Sequence, residues 1–245
     1  MNYKLLLQYD GTKLNGWQKQ GNTDNTIQGK LEAILEKMYG EYIEIHGSGR
    51  TDAGVHALGQ AANFHAPATF SVAEIHSTLN EYLSKDIRVL SVETVSERFH
   101  ARLTAKGKNY EYRIDNGKIA NVFQRKYTMR EEIPLDLDAM REAAAYLIGT
   151  HDFKTFCANK KMKKSTVRTI YSIVIEEKDG IVVIRYTGNG FLYNMVRILT
   201  GTLIEVGRGK RTADEIPGMI EAQARGAAGF TAPAQGLFLV EVMYT

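Results

Sequence analysis

Apolar side chains recur along this chain with two periods. Tyr3, Leu5, Leu7 and Tyr9 alternate with more polar neighbours, the spacing that turns one face of a strand toward a core. Ile27, Leu31, Ile34, Leu35 and Met38 fall three or four apart and predict a helix, with Asn25 followed by Gln28 as a capping-box-like start and Gly40 as its stop. Short strands are expected at Tyr42–His46 and Leu58–His65. A second helix opens at Ser71 with Glu74 and carries Val72, Ile75, Leu79 and Leu83, and Ile87–Val95 is strand-like again. The order β-α-β-β-α-β is the split βαβ arrangement of ferredoxin-like folds.

The C-terminal part repeats that order with insertions and without repeating residues. Tyr110, Tyr112 and Ile114 alternate within Asn109–Asp115, and Leu137, Met140, Ala144, Leu147 and Ile148 form a helical stripe ending at Gly149. Thr169–Glu176 and Ile181–Thr187 flank Lys178-Asp179-Gly180 as a hairpin. Leu192, Met195, Val196, Leu199 and Leu203 predict another helix, and Leu237–Tyr244 a closing strand. A boundary at Thr-Ala-Lys-Gly-Lys, near residue 105, divides the chain into an N-terminal α/β domain, 1–105, and a C-terminal one, 106–245.

Composition narrows the class. At 245 residues, 44% hydrophobic and 24% charged, the chain has material for one large core or two ordinary ones. No segment approaches the ~18 apolar residues of a membrane span, and MNYKLLLQYD lacks a basic region followed by a long apolar run, so a cytoplasmic protein is expected. The single cysteine, Cys157, excludes an internal disulfide framework and suits a small buried hydrophobe. The net charge of +3 is unevenly spread. Residues 97–130 hold nine Lys or Arg against Glu97, Glu111 and Asp115; residues 154–168 hold Lys154, Lys160, Lys161, Lys163, Lys164 and Arg168 with no acid. Each block nets +6, which leaves −9 on the rest of a chain whose total is +3. A lone charge run is usually a solvated face; two dense blocks on an otherwise acidic chain favour a polyanion, foremost nucleic acid.

One stretch carries candidate chemistry: GSGRTDAGVHA, residues 47–57. As structure, Gly47, Gly49 and Gly54 supply left-handed turns and Asp52 caps a helical turn beginning at Ala53. As a phosphate cradle it lacks the Lys-Ser/Thr pair of a P-loop. His46, Asp52 and His56 lack metal-ligand spacing. The remaining reading is an acid held for covalent chemistry, approachable on a glycine-rich loop, with Arg50 on the same side of an extended chain. Spacing alone balances this against the cap.

GRTDAGVHA resembles the signature loop of the tRNA pseudouridine synthase A family. The similarity continues in family order through YDGTKLNGWQKQ, TIQGKLE, RFHAR (98–102), KNYEY (108–112), GTHDFKTF (149–156), GFLYNMVR (190–197) and APAQGLFLVEV (232–242). Three positions depart: Leu14 for a frequent aromatic, Ser84 for a proline and Asn194 for a histidine, none of them expected to touch the chemistry. The resemblance implies a two-domain α+β enzyme whose antiparallel sheets join around a central catalytic cleft. It implies a homodimer in which one tRNA touches both subunits. The activity it implies is isomerisation of particular uridines in the tRNA anticodon stem-loop to pseudouridine, without cofactor or metal.

Asp52 is then the nucleophile, attacking C1′ or C6; a free Asp, with a pKa near ~3.9, is already ionised at neutral pH and needs no activating base. By the same resemblance Arg197 pairs with Asp52, Arg50 contacts the phosphate backbone or helps displace the base, and Tyr110 stacks on the target uracil and relays its C5 proton. Without it, Arg197 reads as a surface residue of an amphipathic helix and Tyr110 as an ordinary strand tyrosine. Leu237 is either an apolar wall of the base pocket or a plain core leucine. Lys160, Lys161, Lys163 and Lys164, with residues 102–108, are expected to line the tRNA-binding surface. Two other classes compete. A non-catalytic RNA-binding module with RRM-like sheets would carry RNP-type aromatics, and KNYEYRID is not that pattern; a glycoside hydrolase would need a second carboxylate that the loop does not offer.

Overall fold

The alternating N-terminal residues form β1 (Asn2–Tyr9), with Tyr3, Leu5, Leu7 and Tyr9 buried, in a computed structural model that describes residues 1–159 and 162–245. The chain divides into two units: Met1–Lys106 together with Phe238–Thr245, and Gly107–Leu237.

In the first unit β1 is followed by α1 (Ile27–Tyr39), β2 (Ile45–Gly47), β3 (His56–His65), α2 (Val72–Tyr82) and β4 (Ile87–Val95), the expected order. β1 lies antiparallel between β4 and β3. The other edge of β3 is shared: β2 pairs antiparallel with Ala62–Phe64, and β10 (Leu237–Met243) runs parallel beside His56 and Ala57. The expected C-terminal domain of 106–245 therefore loses its closing strand to the first unit. Local alternation identifies a strand but not a pairing partner at the far end of the chain.

Helix starts follow the side chains that can satisfy orphan N–H groups. Ser71 and Glu74 form the expected reciprocal capping box of α2. α1 differs by one residue: Thr26, not Asn25, accepts the Gly29 N–H at 3.2 Å, while Asn25 donates to the Lys13 carbonyl. Both types cap well, so spacing alone could not choose between them. Gly40, at φ 76°, ends the helix. β2 is shorter than expected because only Ile45–Gly47 stand opposite β3.

The second unit contains β5 (Gly107–Asp115), β6 (Met129–Arg130), α3 (Leu137–Leu147), β7 (Gly149–Asp152), β8 (Val167–Lys178), β9 (Ile181–Gly188), α4 (Met195–Gly207) and α5 (Glu215–Glu221). Its sheet runs β5-β9-β8-β7, antiparallel throughout, with β6 parallel on the end of β5. Asp179 and Gly180, at φ 52° and 77°, make the β8–β9 hairpin turn, where positive φ at both central residues matches strand twist. α4 starts at Met195, later than the apolar stripe from Leu192 suggests, because Asn194 takes a left-handed conformation. α4 is apolar nearly all round and buried accordingly. A Cβ at Gly201 would lie 1.9 Å from the Phe230 carbonyl oxygen, so the chain at 228–231 packs directly on this helix.

A buried acid ties α1 to the strand that enters the 47–57 loop. Glu32 is 1% exposed; its Oε1 accepts from Gln28 Nε2 at 2.9 Å and from the Ile45 N–H at 3.3 Å, and its Oε2 from Lys19 Nζ at 3.2 Å. Glu32→Ala leaves the buried Ile45 N–H without its acceptor and Gln28 Nε2 with only the Ile45 carbonyl at 3.4 Å, and is expected to lower stability by roughly 1–3 kcal/mol. Glu32→Gln, which keeps an acceptor for Ile45, should cost less. Urea unfolding followed by circular dichroism checks the ranking; identical midpoints for all three proteins would contradict it.

Candidate active site

The loop between β2 and β3 is held by a chain of buried hydrogen bonds. Ser48 Oγ donates to Gln60 Oε1 at 2.6 Å, and Gln60 Nε2 donates to the Gly49 carbonyl at 3.1 Å and to the Tyr9 hydroxyl oxygen at 3.4 Å. The Tyr9 hydroxyl also shares a hydrogen bond with Thr51 Oγ1, 2.8 Å away. Burial pushes the Tyr9 phenol up to about 12, so it remains neutral at physiological pH. Backbone contacts complete the frame: Ser48 N–H to the Ala61 carbonyl at 2.8 Å, Trp17 N–H to the Thr51 carbonyl at 3.0 Å and Gly54 N–H to the Leu14 carbonyl at 3.3 Å.

The frame grips Ser48, Gly49 and Thr51. Ser48 and Thr51 are buried, whereas Arg50 is exposed and Asp52 half-buried. Asp52 starts a turn closed by the Val55 N–H on the Asp52 carbonyl at 3.1 Å, with Gly54 at φ 81°; it is a single turn and no longer helix follows from Ala53. Gly47 is needed for a different reason than a turn. Its Cβ would stand 2.4 Å from the Trp17 ring.

YDGTKLNGWQKQ is the loop's support. A Cβ at Gly11 would sit 2.0 Å from the Val55 carbonyl oxygen, and one at Gly16, whose φ is 86°, 2.6 Å from the Thr51 carbonyl oxygen. Both glycines let one backbone lie on another. His56 belongs to the same support: its Nδ1 accepts the Gly11 N–H at 3.0 Å and its ring stacks on Phe238 at 4.7 Å. Among the described residues no three His, Cys, Asp or Glu side chains gather in metal-binding geometry.

The second unit holds the other candidates. Tyr110, on β5, is buried with its ring edge-on to Phe191 at 5.2 Å. Arg197, in the first turn of α4, donates from Nε to the Ala232 carbonyl at 2.7 Å and from Nη1 to Asn194 Oδ1 at 3.0 Å. GFLYNMVR thus supplies both the ring against Tyr110 and the amide that orients Arg197. The departure at Asn194, expected to leave the chemistry alone, contacts this arginine directly, and the Leu14 carbonyl braces the Asp52 loop. Leu237 is buried at the start of β10, just after a segment pinned by the Tyr112 hydroxyl on the Pro233 carbonyl at 2.8 Å. Lys163 and Lys164 are exposed; Lys160 and Lys161 lie outside the described residues. The supporting roles of Tyr9, Gln60 and Asn194 are not legible in the sequence. The dense Gly and aromatic content of residues 9–17 is the available signal.

The family model described as tRNA pseudouridine synthase matches residues 6–103 and 143–245. A "tRNA pseudouridine synthase A 2" of Bacillus cereus is 49% identical over 243 residues, 99% of each chain. A "tRNA pseudouridine synthase A" of a Bacillus species is also 49% identical, and one of Acetivibrio thermocellus 46%, each with 99% of both chains covered.

Gln60→Leu removes the hub of the frame and leaves the Ser48 hydroxyl and Gly49 carbonyl without their partner. Stability is expected to fall by roughly 1–3 kcal/mol. Amide hydrogen exchange across residues 48–55 should speed up selectively; protection unchanged there in the variant would show that the frame does not hold the loop.

Proposed function

The chain belongs to the tRNA pseudouridine synthase family, and we propose that it isomerises uridines in the tRNA anticodon stem-loop to pseudouridine. The reaction breaks the N1–C1′ bond, turns the uracil while it stays bound, joins C5 to C1′, and moves the C5 proton away as N1 gains one. Asp52 is the nucleophile, at C1′ or C6. The frame that fixes Ser48, Gly49 and Thr51 supports this role most directly, because it holds the backbone on which Arg50, exposed, and Asp52, half-buried, are carried. Holding a reacting group in place supplies part of the barrier reduction before substrate arrives.

Arg197 is the cation assigned to keep the Asp52 carboxylate charged when water is excluded, and its two-point anchoring on Ala232 and Asn194 supports a fixed position for that charge. Tyr110 is the stacking partner of the uracil and the relay for its C5 proton. Stacking worth ~1–3 kcal/mol offsets much of the cost of extruding the nucleotide. Leu237 gives an apolar wall, and Arg50 with Lys160, Lys161, Lys163 and Lys164 meets the phosphate backbone. The working enzyme in this reading is a cytoplasmic homodimer with one tRNA touching both copies. Among the described residues no helix is long and apolar enough to cross a membrane.

Asp52→Ala and Asp52→Asn should lower pseudouridine formation on a tRNA transcript by roughly a thousandfold or more while tRNA still binds. Mapping pseudouridine after incubation checks this; turnover retained in either variant would remove Asp52 from its role.

A further inference from the structure

Several half-buried arginines of the second unit are paired with acids. Arg113 meets Glu111 at 2.7 Å, Arg130 meets Asp115 at 2.9 Å, Arg211 meets Glu205 at 2.5 Å, and Arg208 pairs with Glu131. Arg225 is held differently. Its Nη1 donates to the carbonyls of Gly229 at 2.9 Å and Ala228 at 3.4 Å, and its Nη2 to the Thr231 hydroxyl at 3.0 Å. Among the described residues it makes no ion pair. Three neutral acceptors fix the guanidinium; burial holds its pKa below the usual arginine value, and Glu205, not in ion-pair contact with it, offsets this only in part through space. A charge withdrawn from water normally has a counter-charge.

Arg225 lines a cavity of about 420 Å³ together with Lys154, Lys163 and Lys164. Among the described residues the only acid in that wall is Asp152, and its oxygens are occupied: they accept from the Thr166 hydroxyl at 2.5 Å, the Lys154 N–H at 3.1 Å and Gln223 Nε2 at 3.2 Å. Four cations therefore face one described carboxylate, held by neutral donors, and the described wall keeps an excess of positive charge. Its size suits a nucleotide-sized group rather than a single small ion.

We propose that this cavity seats a phosphodiester of the RNA substrate, with Arg225 as a fixed fork and Lys154, Lys163 and Lys164 as adjustable counter-charges. A planar guanidinium matches two phosphate oxygens at once, whereas lysines act as point charges on flexible stems. This assignment rests on tRNA being the substrate. It adds Lys154 and Arg225 to the binding surface and gives the 154–168 basic block a defined place to act.

The test uses the full-length protein, a tRNA transcript and a salt series. Lys154→Gln, Lys163→Gln and Lys164→Gln are combined in one variant, since these side chains are exposed and their replacement leaves the core intact. Arg225→Gln and Arg225→Lys are made separately. The triple variant should bind tRNA about tenfold more weakly, and the slope of log affinity against log salt should shrink by about one for each phosphate that is no longer neutralised. Its single-turnover rate at saturating tRNA should fall by a smaller factor than its affinity. Arg225→Gln should also weaken binding, with Arg225→Lys recovering part of the deficit.

Wild-type affinity and slope in a folded triple variant would overturn the proposal, even if Arg225→Gln fails to fold. So would competition experiments in which inorganic phosphate fills the cavity without weakening tRNA binding, which marks a free-anion site. If wild type binds tRNA with the expected slope but forms no pseudouridine, the isomerase reading fails and the phosphate seat stands; if wild type turns over while the triple variant keeps its slope, the reverse holds.

Discussion

A buried amide, Gln60, decides where the acid of the 47–57 loop sits. From the middle of β3 it reaches both the Gly49 carbonyl and the Tyr9 hydroxyl with its nitrogen and takes the Ser48 hydroxyl on its oxygen. Such groups add little net stability when paired but are costly to leave unpaired away from water. Rigidity comes from neutral donors and acceptors on the residues around Asp52, and the frame adds no formal charge beside that carboxylate.

The same economy of backbone contact explains the glycine-rich motifs. Gly11, Gly16 and Gly47 allow the 9–17 segment and the Trp17 ring to lie against the loop with no side chain between, and of the three only Gly16 also takes a left-handed conformation. A substitution at any of them would press on backbone or on an indole ring, neither of which yields as a flexible side chain does. Function here depends on surfaces meeting at backbone distance, which is why the motifs look like turns when read as sequence.

Much of the architecture is legible in the sequence because it is local. The Ser71–Glu74 box, the Asp179-Gly180 hairpin and the alternation of β1 each depend on residues within a few positions of one another. What cannot be read depends on distant partners. β10 joins β3 through a parallel pairing, Gln60 finds Tyr9, and Asn194 orients Arg197 only because α4 begins with a left-handed residue. The resemblance names Asp52, Tyr110 and Arg197 as residues; it does not indicate the polar groups that hold them. Arg225 is invisible for a further reason, since whether a described acid lies in contact with it is a property of packing and has no signature in a charge count.

The most direct measurement is the single-turnover rate of uridine isomerisation on a tRNA transcript by Gln60→Leu, with tRNA affinity measured on the same samples. If the buried frame sets the position of Asp52, the rate falls by roughly a hundredfold while affinity stays near wild type. A folded Gln60→Leu protein that turns over at the wild-type rate would contradict that dependence.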